Sequence, residues 1–249
     1  MTGPDNRPVK GLGKADFVLV EDGERQEITT FGADEVPAAV ALAIDRSFSM
    51  RGAPLTTART AGRAFIGALR PDDRAMLISI SGEVEVLAPL TTEKTTVARA
   101  LDTLDPWGTT SLHDALIRSL ELLDGEIGRR AIIVLSDGED RYSKAQASDV
   151  ADRARRSDVL IYPIALGRAR PPLFAELAAL SGGRSFHLRD PQELQPTLTA
   201  IAEDLRAQYL LGYAPRRPWS DDDAEWRSIS VDVQRSGMRV RARSGYSTK

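Results

Sequence analysis

The sequence predicts an α/β fold: a Rossmann-like, doubly wound, mostly parallel sheet, with a small β subdomain formed by hairpins from the two termini. Two observations lead there. Between residues 37 and 208, short apolar runs alternate with stretches of helical periodicity, the order that βαβ crossovers impose. Outside that span the pattern changes to period two around turn dipeptides, the signature of hairpins. The expected organisation is an N-terminal hairpin extension over 1–36, the α/β domain over 37–208, and a C-terminal β extension over 209–249 that packs on the N-terminal hairpin.

The run AAVALAI at 38–44 ends at Asp45 and is wholly apolar, as a strand buried on both faces must be. A helix is expected from about Thr56 to Leu69, before Pro71. RAMLISIS (74–81) and VEVLAPLT (84–91) are joined at Gly82-Glu83 in hairpin style. Helical segments at 93–104 and 111–124 flank the loop Asp105 to Thr110. Strands follow at 130–137 and 159–166, helices at 144–157 and 172–181, a short strand at 183–188 and an amphipathic helix at 191–208. ADFVLVEDGERQEITTF (15–31), turning at Asp22-Gly23, and 226–246, turning at Ser236-Gly237, read as the terminal hairpins. A lone hairpin is marginal in water, and chain termini often lie close together, so the two are expected to pack with each other.

Composition narrows the function. A formal net charge of -3 over 249 residues does not provide the basic surface that phosphate backbones require, so no nucleic acid is expected as a partner. There is no cysteine, which removes disulfides and thiolate metal sites. No apolar run approaches the roughly 18 residues of a membrane span, and the polar start MTGPDNRPVKGLGK has no signal-peptide core. Composition alone fits either a cytoplasmic chain or an exported one whose leader is gone. Signatures of enzymes are missing: no GxSxG elbow, Walker loop, HExxH or GxGxxG.

In open α/β sheets, ligands sit beyond the carboxyl ends of the strands near the switch in strand order. Three segments place oxygen-bearing side chains there: Asp45, Ser47 and Ser49 after the first buried strand, Thr109 and Thr110 before the helix near Ser111, and Asp137 at the end of AIIVLSD. Alternation through Asp45, Ser47 and Ser49 turns three side chains of one loop to a single point. Such oxygens suit a hard cation, above all Mg²⁺, which keeps some of its waters. Two carboxylates and several hydroxyls neutralise the ion without saturating it, leaving a position for an oxygen from outside.

Asp45-Arg46-Ser47-Phe48-Ser49 resembles the DxSxS motif of von Willebrand factor A domains. GTTSLHDAL (108–116) is similar to the family's second metal loop, and LSDGED (135–140) to its third. The terminal segments, including AQYLLGYAP (207–215), WRSISVDV and VRARSGY, look like the flanks of bacterial proteins related to that domain, so the resemblance covers nearly the whole chain. It implies a metal-ion-dependent adhesion site of Asp45, Ser47, Ser49, Thr110 and Asp137, holding Mg²⁺, with Mn²⁺ or Ca²⁺ as substitutes. It implies no catalysis, but recognition of a protein partner that presents an Asp or Glu carboxylate to the metal. It also implies export, the chain starting partway into a longer precursor. Phe48 departs from the family, which favours a small residue there; a ring shields the ion or adds to the ligand platform.

Two readings compete with metal-dependent binding: a metal-dependent hydrolase, because a bound ion activates water, and a scaffold whose site is vestigial. Ser111 with Asp114 reads as a capping box, His113 and His187 as packing residues, and Glu139 and Asp140 as helix caps or rim. Asp221, Asp222 and Asp223 read as a solvated loop without calcium-loop spacing. Arg235, Arg239, Arg241 and Arg243 read as the wet face of a hairpin.

Overall fold

The computed structural model describes residues 1–3, 8–33, 36–137, 139–217 and 225–247; the acidic run at 221–223 lies outside them. In chain order the strands and helices are β1 (Phe17–Glu21), β2 (Glu24–Gln26), β3 (Ile28–Gly32), β4 (Ala38–Asp45), α1 (Ala53–Ala68), β5 (Arg74–Ile80), β6 (Val84–Thr91), α2 (Lys94–Asp102), α3 (Leu112–Leu123), β7 (Arg129–Ser136), α4 (Ala147–Arg155), β8 (Leu160–Leu166), α5 (Pro172–Ser181), β9 (Phe186–Leu188), α6 (Leu194–Arg206), β10 (Leu210–Tyr213), β11 (Trp226–Val233) and β12 (Gly245–Ser247).

The central sheet has the order β6-β5-β4-β7-β8-β9. It is parallel except for β6, which returns beside β5 as an antiparallel edge. From β4 the chain first builds outward to β5 and β6, then crosses over to β7 on the other side. The switch point therefore lies between β4 and β7. Alternation along β4 divides the core: Val40, Leu42 and Ile44 face α1, α2 and α6, while Ala39, Ala41 and Ala43 face α3, α4 and α5. The helices supply matching stripes; Leu112, Ala115, Leu116, Leu120 and Leu123 put the apolar side of α3 on the sheet.

A second sheet, β12-β11-β1-β2, joins the two ends of the chain, and β10 pairs with β3 beside it. The second arm of the N-terminal hairpin is split. β2 stays on β1, whereas β3 leaves it to pair with β10. Among the described residues the C-terminal arms pair at 226–228 with 245–247, extended by Ile229 N–H to the Ser244 carbonyl at 2.9 Å, in a register centred on Ser236 and Gly237. A buried polar cluster holds the sheet together: Glu21 accepts from Arg227 Nη1 at 3.1 Å, from the Tyr246 hydroxyl at 3.2 Å and from the Tyr213 hydroxyl.

The expectation of one wet arginine face is corrected by this packing. Arg235 is exposed and pairs with Asp16, and Arg239 is exposed. Arg241 instead turns inward, donating from Nε to the Gly182 carbonyl at 2.9 Å and pairing with Asp204. Arg243 is also half-buried. Beyond an isolated bridge of Arg239 with Thr2, the segment carrying them forms no ladder, so period-two alternation does not govern where they point.

Candidate metal centre

Asp45 is the last residue of the central strand and is fully buried. Its Oδ1 accepts the Ser47 backbone N–H at 2.8 Å, and its Oδ2 accepts the Ser136 hydroxyl at 2.6 Å. Ser47 and Ser49 do not meet through extended alternation. A 3-10 turn over Phe48–Met50, closed by Met50 N–H to the Ser47 carbonyl at 2.9 Å, brings their hydroxyls to 3.0 Å. Buried Met50 anchors that turn in the core.

The second loop is fastened to the first. Trp107 N–H donates to the Arg46 carbonyl at 2.7 Å, and Phe48 N–H to the Gly108 carbonyl at 3.1 Å. Gly108 has φ +68°, and a Cβ there would stand 3.2 Å from the Gly82 nitrogen. A side chain would strain both the turn and the contact. Thr110 is buried, and its carbonyl accepts Arg141 and Tyr142 N–H at 2.9 and 3.1 Å, which attaches the third loop. Asp137 follows β7, half-buried, and its charge reaches Asp45. Loop bonds and that electrostatic link thus bring all three segments to one end of the switch point.

The donor set can be tested for a cation by what its members already do. Burial pushes the Asp45 carboxyl above its ordinary range and the charge of Asp137 adds to this, while bonds from Ser136 and Ser47 act the other way. Two acids so placed are relieved by a divalent ion. Among the described residues, neither the Thr110 hydroxyl nor the Asp137 carboxylate has a side-chain hydrogen bond, so neither is committed to another group. Among those residues no group of three or more His, Asp or Glu is placed to hold a metal; the candidate side chains are two carboxylates and three hydroxyls. They fit a hard ion that retains water.

The surroundings refine the sequence reading. Ser136 stands just before Asp137 in sequence, but only the parallel register of β4 with β7 sets it against Asp45. The capping-box expectation is corrected: Ser111 gives its hydroxyl to the Gly82 carbonyl, and Asp114 accepts Lys144 and Ala145 N–H at 3.0 Å each. Asp140 accepts His113 N–H at 3.2 Å at the start of α3, and Glu139 pairs with Arg141. The ring nitrogens of His113 and His187 meet the carbonyls of Ala145 and Gly167. Phe48 and Trp107 are 52% and 63% exposed with ring centroids 6.5 Å apart, and Tyr142 is 66% exposed on the third loop. Aromatic surface thus rims the centre.

A doubly wound α/β sheet with buried Asp45 and Thr110 in the loops at its switch point defines the class. Residues 40–139 match the family model for the von Willebrand factor type A domain. UPF0353 protein ML1808 of Mycobacterium leprae (strain TN) is 27% identical over 230 residues, covering 79% of this chain and 66% of its own length; the chain thus spans just under two thirds of that relative. Among solved structures, von Willebrand factor type A from Catenulispora acidiphila superposes with TM-score 0.63 at 16% identity, over 77% of this chain and 50% of that one. Proximal thread matrix protein 1 from the mussel byssus, whose MIDAS motif holds zinc in that structure, gives 0.63 at 16%, over 80% and 50%. The domain of the type V pili tip protein Mfa5 from Porphyromonas gingivalis gives 0.59 at 14%, over 68% and 95%. At these identities the likeness is one of fold.

Proposed function

We propose that Asp45, Ser47, Ser49, Thr110 and Asp137 hold one Mg²⁺ and that the metal binds a carboxylate of a protein partner. The observation that carries this reading is the pairing of a desolvated Asp45 with uncommitted Thr110 and Asp137 at one point of the switch. Bound there, the ion supplies a Lewis-acidic position for an outside oxygen. The chain's residues do the rest. Asp45 is oriented by Ser136 and the Ser47 amide, the serine hydroxyls are set by the 3-10 turn, and Phe48, Trp107 and Tyr142 offer apolar surface around the contact.

Only two of the five proposed side chains are formally charged, which leaves the ion electrophilic toward an acidic residue. Among the described residues near the centre, Asp114, Asp140 and His113 are engaged with the backbone and Glu139 pairs with Arg141, which favours binding over hydrolysis. Among the described residues no helix is long and apolar enough to cross a membrane. Structural neighbours named as a pili tip protein and a mussel byssus matrix protein support an exported setting, which we infer for this chain. The reading is tested by pull-down from the source cells with and without chelator, using wild type and Asp45→Ala. Capture that is restored by Mg²⁺ and absent in the variant supports it; chelator-insensitive capture overturns it.

A further inference from the structure

Away from the candidate metal centre, the terminal sheet and the α/β core flank an open pocket of about 530 Å³, within the size range of small-molecule sites. Its apolar wall is the inner face of the terminal sheet together with β10: Phe17, Leu19, Leu211, Ile229 and Val231. Leu211, Ile229 and Val231 are only half-buried. Protein interiors normally close over such surface; here the walls stand apart.

Four arginines line the same space. Arg129 is engaged by the carbonyls of Val36, Ala33 and Gln208, Arg130 pairs with Asp158, and Arg241 pairs with Asp204. Arg243 differs. Its Nε donates to the Gly245 carbonyl at 2.8 Å and its Nη2 to the Arg155 carbonyl at 3.3 Å, and it lies 5.4 Å from the Tyr246 ring centroid. Among the described residues it has no carboxylate within ion-pair distance. Burial holds its pKa below the ordinary guanidinium value, and the charge of Asp158 offsets this only in part. Its place is fixed: Gly182, at φ +78°, lies so close that a Cβ would come within 2.7 Å of the Ala242 and Arg243 backbone.

We propose that this pocket binds a long-chain carboxylate, its alkyl chain along the apolar wall and its head group on Arg243. A single planar guanidinium fork matches a carboxylate, and nearby Asp158 disfavours a doubly charged head. The occupant is a small amphiphile and not an added strand, because β1 and β11 are each already paired on both sides. The site is independent of the metal.

The test is displacement of the fluorescent fatty acid dansylaminoundecanoate from the full chain by dodecanoate and by dodecanol. Saturation at one probe per chain is expected. Dodecanoate should displace it about tenfold better than dodecanol, the worth of one charge-assisted hydrogen bond. Arg243→Gln should remove that difference, and Val231→Trp, if its circular dichroism is native, should abolish binding; chelator should change nothing. Equal displacement by acid and alcohol on the wild type, which requires no variant to fold, overturns the proposal. So does failure of the probe to saturate, or unchanged binding in folded Val231→Trp.

Discussion

The Ser136 hydroxyl donates to Oδ2 of Asp45 at 2.6 Å, across the two strands between which the sheet switches direction. That bond, with the Ser47 amide on Oδ1, fixes the orientation of a buried carboxylate before any ion arrives. Groups that orient a metal ligand typically matter about 10–100-fold in affinity. Ser136→Ala is therefore expected to weaken Mg²⁺ binding by about tenfold or more, with an unchanged circular dichroism spectrum. Calorimetry on the two proteins checks this; equal affinities would remove Ser136 from the site.

Thr110 occupies a loop held by its carbonyl, which accepts Arg141 and Tyr142 N–H, while its hydroxyl has no partner among the described residues. Thr110→Ala keeps the backbone bonds and removes only the proposed ligand. Metal affinity should fall while the melting temperature of the metal-free protein moves little, by about 1 kcal/mol or less in stability. A large drop in metal-free stability would mean that Thr110 is structural.

How much of this was legible beforehand depends on which interaction fixed each part. The αβ order was readable because β4 and β7 are buried on both faces and must be continuously apolar, and because α3 shows its stripe at i, i+3 and i+4. Asp45 and Asp137 were readable as polar residues that end such runs. Ser136 was not, since it belongs to a buried strand and its partner is set by register between strands 91 residues apart. The inward turn of Arg241 and Arg243 was hidden for a related reason. Their targets, Gly182, Asp204, Arg155 and Gly245, are mostly distant in sequence, and no ladder imposes an alternation from which they could be inferred.

Glu21 and Arg227 are both nearly inaccessible and join the first strand to the eleventh. Breaking a buried pair strands the remaining charge at a cost of about 3–5 kcal/mol. Arg227→Met should lower stability by that order, about 2–4 °C in Tm for each kcal/mol at this size. Combining it with Glu21→Gln should recover much of the loss. A single variant as stable as wild type would show that the terminal sheet does not depend on this pair.

The phenols of Tyr162 and Tyr213 are both held above their ordinary pKa, chiefly by burial, with Asp204 and Glu21 respectively adding to it. The folded chain keeps protons that the unfolded chain loses near pH 10. The contribution is therefore complete below about pH 10 and is lost as pH rises beyond it toward the raised folded values. Denaturant titrations across that range should show stability falling, less steeply in Tyr213→Phe. A flat profile would contradict the burial of these groups.

The most direct measurement is calorimetric titration of Mg²⁺ into the wild-type chain and into Asp45→Ala, after treatment with chelator. One site per chain is expected for the wild type, and none for the variant while its far-ultraviolet circular dichroism remains native. A wild type that takes up no divalent ion, or a variant that binds it equally well, would contradict metal-dependent recognition at the β4–β7 switch.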